Sequence, residues 1–275
     1  MIKNSNKKVL IANDVTGYGR ASTFAMLPIM ASYEIHPYVL PTSLVSNTMD
    51  YGSCEILDTS DFMRKSIEKW KEFNFKFDII STGFINSGEQ VEIISSLISE
   101  QNPSFVMVDP IMADDGILYP GMYEGAIECN KKLIALSNLC IPNLTEAELL
   151  TNLYIGKDSL NDKEYENIVQ KLKEIGASNI VITNCKDDSG KTFNLVFDSN
   201  VITKAYYENI DMKFIGTGDV FSATLLSEII YGNSLQDSVN RASEFVRNVI
   251  LDNKENNDQN DLIIEKSLYR IKKNI

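Results

Sequence analysis

Residues 77–110, FDIISTGFINSGEQVEIISSLISEQNPSFVMVDP, contain the pattern that decides the fold. Two short apolar runs, Phe77 to Ile80 and Phe105 to Val108, are each typical of a buried strand. Ser87 and Gln90 form an S-x-x-Q capping box, which predicts a helix start between the two runs. Four apolar residues then recur at the spacing of one helix face: Val91, Ile94, Leu97 and Ile98. A strand, a helix and a second strand predict a βαβ unit with parallel strands.

The same alternation of short apolar runs and helical periodicity extends along the whole chain. The other predicted strands are Lys8 to Ala12, Tyr38 to Leu40, Leu139 to Ile141 and Asn179 to Ile182, followed by a hairpin of Thr192 to Phe197 and Val201 to Tyr206. We find no internal repeat and no Pro- or Gly-rich linker. The sequence therefore predicts an α/β protein with a mostly parallel central sheet, folded as one domain over residues 1–275.

Composition excludes some classes of function. The chain has 275 residues and a formal net charge of -12, whereas a nucleic-acid-binding surface needs clustered Lys and Arg. A bound nucleotide such as ATP is held locally by backbone amides, so the global charge does not exclude it.

Targeting and metal-binding patterns are also missing from the sequence. The four cysteines, Cys54, Cys129, Cys140 and Cys185, form no CxxC pair, and there is a single histidine, so neither a zinc site nor a disulfide framework is predicted. We find no signal peptide and no continuous apolar run of about 18 residues. We therefore expect a cytoplasmic protein that does not bind a membrane.

Polar residues follow each of the predicted parallel strands. In chain order they are Asn13-Asp14, Thr42-Ser43, Ser81-Thr82-Gly83, Asp109-Pro110, Pro142-Asn143 and Thr183-Asn184. In an open parallel sheet, ligands bind outside the carboxyl ends of the strands. Because six strand ends carry such residues, we expect a polar cleft at this edge of the sheet.

The segment Ile215 to Phe221, IGTGDVF, is a second signal of a binding site. It opens a helical run from about Asp219 to Tyr231, and glycines before a helix expose backbone amides that bind anions. Two other phosphate motifs are ruled out. There is no G-x-x-x-x-G-K-[ST] sequence, and the segment Gly17 to Ser22 lacks the third small residue of a dinucleotide fingerprint and the acid after the next strand.

Taken together, these motifs resemble the pyridoxal kinase family of the ribokinase superfamily, over nearly the whole chain. Gly216-Thr217-Gly218-Asp219 is similar to the superfamily's anion-hole and catalytic-base signature. Further segments match in order: Ser46-Asn47 with Tyr51, Thr82-Gly83-Phe84, Val108-Asp109-Pro110, Pro142 to Glu146 followed by Glu148-Leu149-Leu150, and Ile182-Thr183-Asn184. The resemblance implies a ribokinase-like three-layer α/β/α sandwich and an ATP-dependent kinase of a vitamin B6 vitamer.

The resemblance also implies roles for individual residues. Asp219 would be the catalytic base, with the amides of Gly216, Thr217 and Gly218 as the anion hole. The other implied contacts are Asn13, Asp14, Ser46, Asn47 and Phe84 to the vitamer, Asn143, Thr183, Asn184, Tyr119 and Phe221 to ATP, and Asp109 and Glu146 to Mg²⁺. The loop Ala113 to Tyr119 would close over the nucleotide, and the protein would be a homodimer. The sequence leaves open whether a monovalent cation such as K⁺ is a further cofactor.

The chain departs from the common pyridoxal kinase pattern at two positions. It has Asn13-Asp14 where Ser-His commonly follows the first strand, and Thr48 where a His often follows Ser-Asn. The segment Asn13 to Arg20 resembles instead a bacterial subgroup described as pyridoxamine kinase. These departures leave the vitamer open, and the alternatives are a hydroxymethylpyrimidine kinase, a sugar kinase or a non-catalytic ligand-binding relative.

Overall fold

A nine-stranded sheet forms the centre of the protein. The structure is a computed structural model that describes residues 7–48, 51–119, 122–157, 159–255 and 262–271. Its strands are β1 Val9–Tyr18, β2 Pro37–Asn47, β3 Ile56–Asp58, β4 Ile79–Thr82, β5 Phe105–Val108, β6 Ala113–Asp114, β7 Ile117–Leu118, β8 Leu139–Cys140, β9 Asn179–Lys186, β10 Thr192–Asp198 and β11 Val201–Tyr206. The order in the main sheet is β11-β10-β9-β8-β5-β4-β1-β2-β3, and β6 pairs only with β7.

The inner part of the sheet is parallel. All pairings from β9 through β8, β5, β4 and β1 to β2 are parallel, whereas β10, β11 and β3 join antiparallel at the two edges. The six parallel strands are the six predicted from apolar runs. The hairpin of β10 and β11 is also confirmed.

Helices cover both faces of the sheet. They are α1 Ser22–Ser32, α2 Ser60–Glu72, α3 Gly88–Gln101, α4 Ala126–Ile134, α5 Leu144–Thr151, α6 Asp162–Ile175, α7 Thr217–Ile230, α8 Leu235–Asp252 and α9 Leu268–Ile271. Alternate residues of β1 supply the two hydrophobic cores, because successive side chains of a strand point to opposite faces. Leu10 and Ala12 pack with α2 to α6, and Val9 and Ile11 pack with α1, α7, α8 and α9. The predicted three-layer α/β/α architecture is confirmed, and the single domain stays a prediction.

Among the helices of the described ranges, none combines the length and apolar character that a bilayer crossing requires.

The predicted ends of the first two strands are wrong. Beyond Ala12, β1 continues to Tyr18 and pairs with β2 as far as Asn47, with a register shift between Asn13 and Val15. Polar side chains do not interrupt such pairing, because the ladder consists of backbone hydrogen bonds. Residues 13–18 and 41–47 therefore form a two-stranded arm that extends past the neighbouring strand β4, whose pairing with β1 ends at Thr82.

The predicted capping box at α3 is only half formed. Ser87 accepts a hydrogen bond from the backbone N–H of Gln90, but the Gln90 side chain donates to the Thr42 carbonyl at 2.6 Å and to Asp58 at 3.1 Å. Gln90 therefore ties α3 to β2 and β3, and its Oε1 atom accepts from the Asn86 N–H at 3.0 Å, one residue before the N-cap Ser87.

Candidate active site

The polar strand ends lie side by side at one edge of the sheet. Backbone hydrogen bonds continue between them after the strands end: the N–H of Gly83 donates to Ala12, that of Asp109 to Thr82, and that of Thr183 to Pro142. The predicted cleft edge is therefore a continuous row of side chains at the carboxyl ends of the strands.

Asn13 joins β1 to the segment after β4. Its Oδ1 atom accepts from the backbone N–H of Phe84 at 2.8 Å and from that of Asp14 at 3.0 Å. A Cβ atom at Gly83 would lie 2.4 Å from this Oδ1, which is closer than any side chain permits. Glycine at position 83 therefore allows the Asn13 side chain to reach across the edge of the sheet.

The start of α7 brings backbone amides to the same edge. Gly216 is the N-cap residue with a φ of 83°, in the left-handed region that favours glycine. A Cβ atom there would lie 2.1 Å from the Arg20 carbonyl, so the helix start packs directly on the segment between β1 and α1. The first N–H groups of a helix have no partner within the helix, so those after Gly216 are donors of the kind that bind an anion.

Asp219 lies in the first turn of α7 and is half-buried. Its Oδ2 atom accepts from the backbone N–H of Ser22 at 2.7 Å. Burial raises the pKa of Asp219 to about 7, the negative charge of Asp14 adds to the rise, and hydrogen bonds from Ser22 and Asn13 oppose it. A carboxylate in this environment accepts a proton more readily than an exposed one.

A second acid, Asp109, faces Asp219 from the end of β5. Its Oδ2 atom accepts from the Ser222 hydroxyl at 2.7 Å. Burial, together with the charge of Asp219, raises the pKa of Asp109. A cavity of about 10 Å³, lined by Asn13, Asp109, Asp219 and Ser222 among others, lies between them and has room for about one water molecule.

Glu146 is buried and its carboxylate is fully hydrogen-bonded. It is 3% exposed, and Oε2 accepts from the Asn143 N–H at 2.9 Å in a reciprocal capping box. Oε1 accepts from the Met112 N–H at 3.0 Å. Burial and the charge of Asp109 raise its pKa well above the usual range. The phenol of Tyr119 also lies near these acids, because their charges add to burial in raising its pKa.

Asp109 and Glu146 fit a hydrated magnesium ion better than a directly bound metal. No group of three or more His, Cys, Asp or Glu side chains in the described ranges could hold a metal ion. Backbone N–H groups already occupy both Glu146 oxygens. Mg²⁺ usually keeps several of its waters, so two acids with raised pKa values would stabilise it through water, beside phosphate oxygens.

The residues assigned to ATP lie in three different environments. The Asn143 side chain caps α5 through Oδ1 and donates to the Ala113 carbonyl at 2.7 Å. Asn184 is exposed in β9 with a φ of 61°, next to Thr183, where the pairing register with β10 shifts. Such bulges are common beside active sites. Phe221 is 8% exposed and packs in the core shared by α1, α7 and α8.

An open groove of about 710 Å³ lies beside Asn184. The hydroxyl of Tyr207 donates to Asn184 at 3.1 Å and connects the groove to the strand end. Two lysines and two tyrosine rings line it, which suits a phosphate chain and a planar base. The lining residues include Lys186, Lys191, Tyr206, Tyr207 and Asn209.

Phe84 and the residues of the arm differ in their distance from Asp219. Phe84 is 6% exposed yet belongs to neither hydrophobic core, and its backbone is bound to Asn13. Ser46 and Asn47 lie near the end of the arm and bond to each other at 2.7 Å. Their side-chain hydrogen bonds within the described chain are to the β2–β3 connection, and none reaches Asp219.

Two residues that contact the acids were missed in the sequence. Ser22 contributes a backbone N–H from a left-handed conformation with a φ of 55°, which its residue type does not indicate. Ser222 lies three positions after Asp219, on the same face of α7. This spacing could have predicted from the sequence that Ser222 lies beside Asp219.

Three comparisons relate this geometry to known proteins. The family model described as phosphomethylpyrimidine kinase matches residues 24–263. The chain is 27% identical over 194 residues, 70% of each chain, to the hydroxymethylpyrimidine/phosphomethylpyrimidine kinase of Bacillus subtilis. It is 25% identical over 241 residues to the pyridoxine/pyridoxal/pyridoxamine kinase of Bordetella avium, covering 83% of this chain and 79% of the relative.

A solved structure covers almost the whole chain. It is a crystal form, with pyridoxal, of a Bacteroides thetaiotaomicron protein described as a phosphomethylpyrimidine kinase. The sequences are 28% identical, the TM-score is 0.91, and the match covers 97% of this chain and 96% of the other.

Proposed function

Since the chain belongs to the phosphomethylpyrimidine kinase family, we propose that it transfers the terminal phosphate of ATP to the 5′-hydroxymethyl group of a vitamin B6 vitamer. It is a phosphotransferase that acts on an alcohol group. The observation that carries the phosphoryl transfer is Asp219, a half-buried acid at a glycine-capped helix start. The Bordetella avium relative and the pyridoxal-bound structure support the substrate.

Asp219 is the group that accepts the proton of the alcohol. An alcohol is far too weak an acid to be ionised by a carboxylate before reaction, so the proton moves as the O–P bond forms. The pKa of Asp219, raised to about 7, brings the base close to neutral pH, where general-base catalysis is most efficient. The hydrogen bond from Ser22 at 2.7 Å fixes the orientation of the carboxylate.

The start of α7 stabilises the charge of the transferring phosphoryl group. Phosphoryl transfer depends mainly on positioning and on electrostatic stabilisation. The amides of Gly216, Thr217 and Gly218 supply fixed donors, as an oxyanion hole does. Because Asp219 belongs to the same helical turn, the base and the anion hole keep a constant geometry relative to each other.

The nucleotide and its metal ion lie along the other strand ends in this proposal. The ATP phosphates would lie along Asn143 and Thr183, which pair through a backbone bridge, and Asn184, which the hydroxyl of Tyr207 in the groove contacts. Mg²⁺ would be held through water by Asp109 and Glu146, and it would supply charge neutralisation to the phosphates.

We predict that kcat/KM rises with pH through about 7. Asp219 must be ionised to accept a proton, and its pKa is raised to about 7 in the free protein. The same shift makes folding less favourable as pH rises from about 4 to about 7, because the folded state holds the proton longer than the unfolded state. A pH profile of vitamer-dependent ADP release between pH 5.5 and 8.5 measures the acid limb.

Asp14→Asn is the matched variant for this profile. The negative charge of Asp14 contributes to the raised pKa of Asp219. The substitution removes that charge, so it should move the acid limb of the pH profile to lower pH. A profile that is flat between pH 5.5 and 8.5 would remove the titrating base from the mechanism.

Phe84→Ala should raise KM for the vitamer at least about fivefold and leave KM for ATP unchanged. A ring that is 6% exposed outside both cores is available to stack on a planar substrate, and aromatic pairs contribute about 1 kcal/mol. Initial rates at varied vitamer and varied ATP separate the two constants. Phe77→Ala is the control, because that buried ring packs in a core and its loss should lower stability first. If KM for ATP rises in Phe84→Ala instead, the stacking role is wrong.

A substrate panel tests the proposed function as a whole. ADP release is measured with pyridoxal, pyridoxine, pyridoxamine, hydroxymethylpyrimidine and ribose, each with and without Mg²⁺. We expect turnover with the vitamers that requires Mg²⁺. Turnover with hydroxymethylpyrimidine alone would favour the activity named for the Bacillus subtilis relative. No turnover with any compound would favour a non-catalytic binding protein.

A further inference from the structure

Asp14 carries a buried carboxylate oxygen that lacks a partner. The residue is 5% exposed, and its Oδ2 atom accepts from the Thr16 hydroxyl at 3.0 Å. Its Oδ1 atom is buried and has no hydrogen-bond partner among the described residues. An unsatisfied buried acceptor is costly, and a charged one more so. Asp14 directly follows Asn13, which lines the cavity beside Asp219, so a ligand bound there is a source of the missing donor.

Other unpartnered oxygens lie at the same end of the sheet. The hydroxyls of Ser43 and Thr23 are buried without a partner in the described chain. Ser43 lies on β2 opposite the register shift that contains Asp14, and Thr23 follows Ser22, which binds Asp219. Asp14 is the one carboxylate among these three residues, so leaving its oxygen without a donor costs the most.

No positive charge of the described chain is seen to balance Asp14. Burial raises the pKa of Asp14, and no positive charge is among the causes that oppose the rise. The nearest arginine in sequence, Arg20, pairs with Glu265 at 2.9 Å, and both side chains are 45% exposed. The charge that reaches Asp14 from the site is therefore that of Asp219, which is also negative.

The chemistry of the vitamer ring determines which substituent meets Asp14. If the 5′-hydroxymethyl group lies at Asp219, one ring neighbour is a plain C–H and the other carries the 4′ substituent. Asn13, the residue directly before Asp14, lines the same cavity as Asp219, and the charge of Asp14 contributes to the raised pKa of Asp219. The 4′ substituent is therefore the polar group beside Asp14.

We infer that Asp14 is the specificity-determining residue for the 4′ substituent, and that it favours a protonated amine over an alcohol and an alcohol over an aldehyde. The inference rests on the proposed function. An alkylamine with a pKa near about 10 is protonated at neutral pH and offers three charged donors. An alcohol offers one neutral donor, and an aldehyde offers none. Charge-assisted hydrogen bonds are about twice as strong as neutral ones.

The test compares kcat/KM for pyridoxamine, pyridoxine and pyridoxal in three proteins. These are the wild-type chain, Asp14→Asn and Thr16→Val. The wild-type order should be amine, alcohol, aldehyde, with about tenfold or more between the first and the last. Asp14→Asn keeps the shape but removes the charge, so the ratio of amine to aldehyde should fall about tenfold or more. Thr16→Val removes only the contact to Oδ2 and should keep the order.

Each outcome decides between the inference and the function it rests on. If all three vitamers are phosphorylated and the wild-type order does not begin with the amine, the inference fails and the proposed function stands. The same holds if Asp14→Asn folds and keeps the wild-type ratio. If no vitamer is phosphorylated, both fail. The wild-type order decides the inference even if the Asp14 variant does not fold.

Discussion

Asp219→Ala lowers kcat by at least about 10²-fold and leaves the protein folded, because it removes the base and not a core contact. General-base catalysis contributes about 10² to 10⁴ in rate. Burial of the Asp219 charge opposes folding, as its raised pKa indicates, so its removal costs little stability. Single-turnover rates of ADP formation, with thermal unfolding monitored by circular dichroism, measure both effects.

Asp237→Ala is the matched control for this experiment. Asp237 is also an acid in the first turn of a helix, α8, where it accepts from the Ser234 hydroxyl at 2.7 Å. Both substitutions remove the same favourable charge from a helix start, at about 0.3–1 kcal/mol. Only the change at Asp219 should lower kcat. Wild-type turnover in the Asp219 variant would remove this residue from its catalytic role.

Gly216→Ala lowers both stability and turnover. Its φ of 83° costs a residue with a Cβ atom about 1–2 kcal/mol. The added Cβ would also lie 2.1 Å from the Arg20 carbonyl, so the helix start must move. A displacement of about 1 Å at a reacting group lowers the rate about 10²-fold. Chemical denaturation and the kcat of ADP release measure the two losses.

Gly125→Ala is the control that separates the backbone strain of a positive φ from the steric clash of the added Cβ atom. Gly125 is the N-cap of α4 with a φ of 84° and a ψ of 7°, almost the angles of Gly216, but no atom of the described residues lies within 4 Å of its added Cβ. It should lose only the strain energy, and Gly216→Ala should lose at least about 1 kcal/mol more. Equal losses, with kcat unchanged in both, would mean that the contact with Arg20 does not hold the α7 start.

The sequence predicted the inner sheet well because those strands are continuous apolar runs buried on both faces. Phe105 to Val108 has the same bounds in the structure, and the predicted hairpin is present, at one edge of the sheet. The arm beyond Ala12 was not predicted, because the residues there have polar side chains although their backbones still pair as strands. The three-residue strand β3 has no residue buried, so it lacks the apolar run that marked the others.

The sequence predicted the acids of the site better than their surroundings. Asp109 follows a strand and Asp219 lies in the first turn of a helix, and the fold brings the two acids together. The spacing of Asn143 and Glu146 was equally a capping-box pattern, and the structure has that box in place. The Ser22 contact could not be predicted, because a backbone N–H carries no sequence signal.

The most direct test of the account is a crystal structure with a non-hydrolysable ATP analogue, Mg²⁺ and pyridoxamine. We expect the 5′ oxygen of the vitamer within about 2.6–3.2 Å of the Asp219 carboxylate. The terminal phosphate should lie on the amides after Gly216. A vitamer hydroxymethyl group remote from Asp219, or a terminal phosphate bound away from the start of α7, would contradict the account.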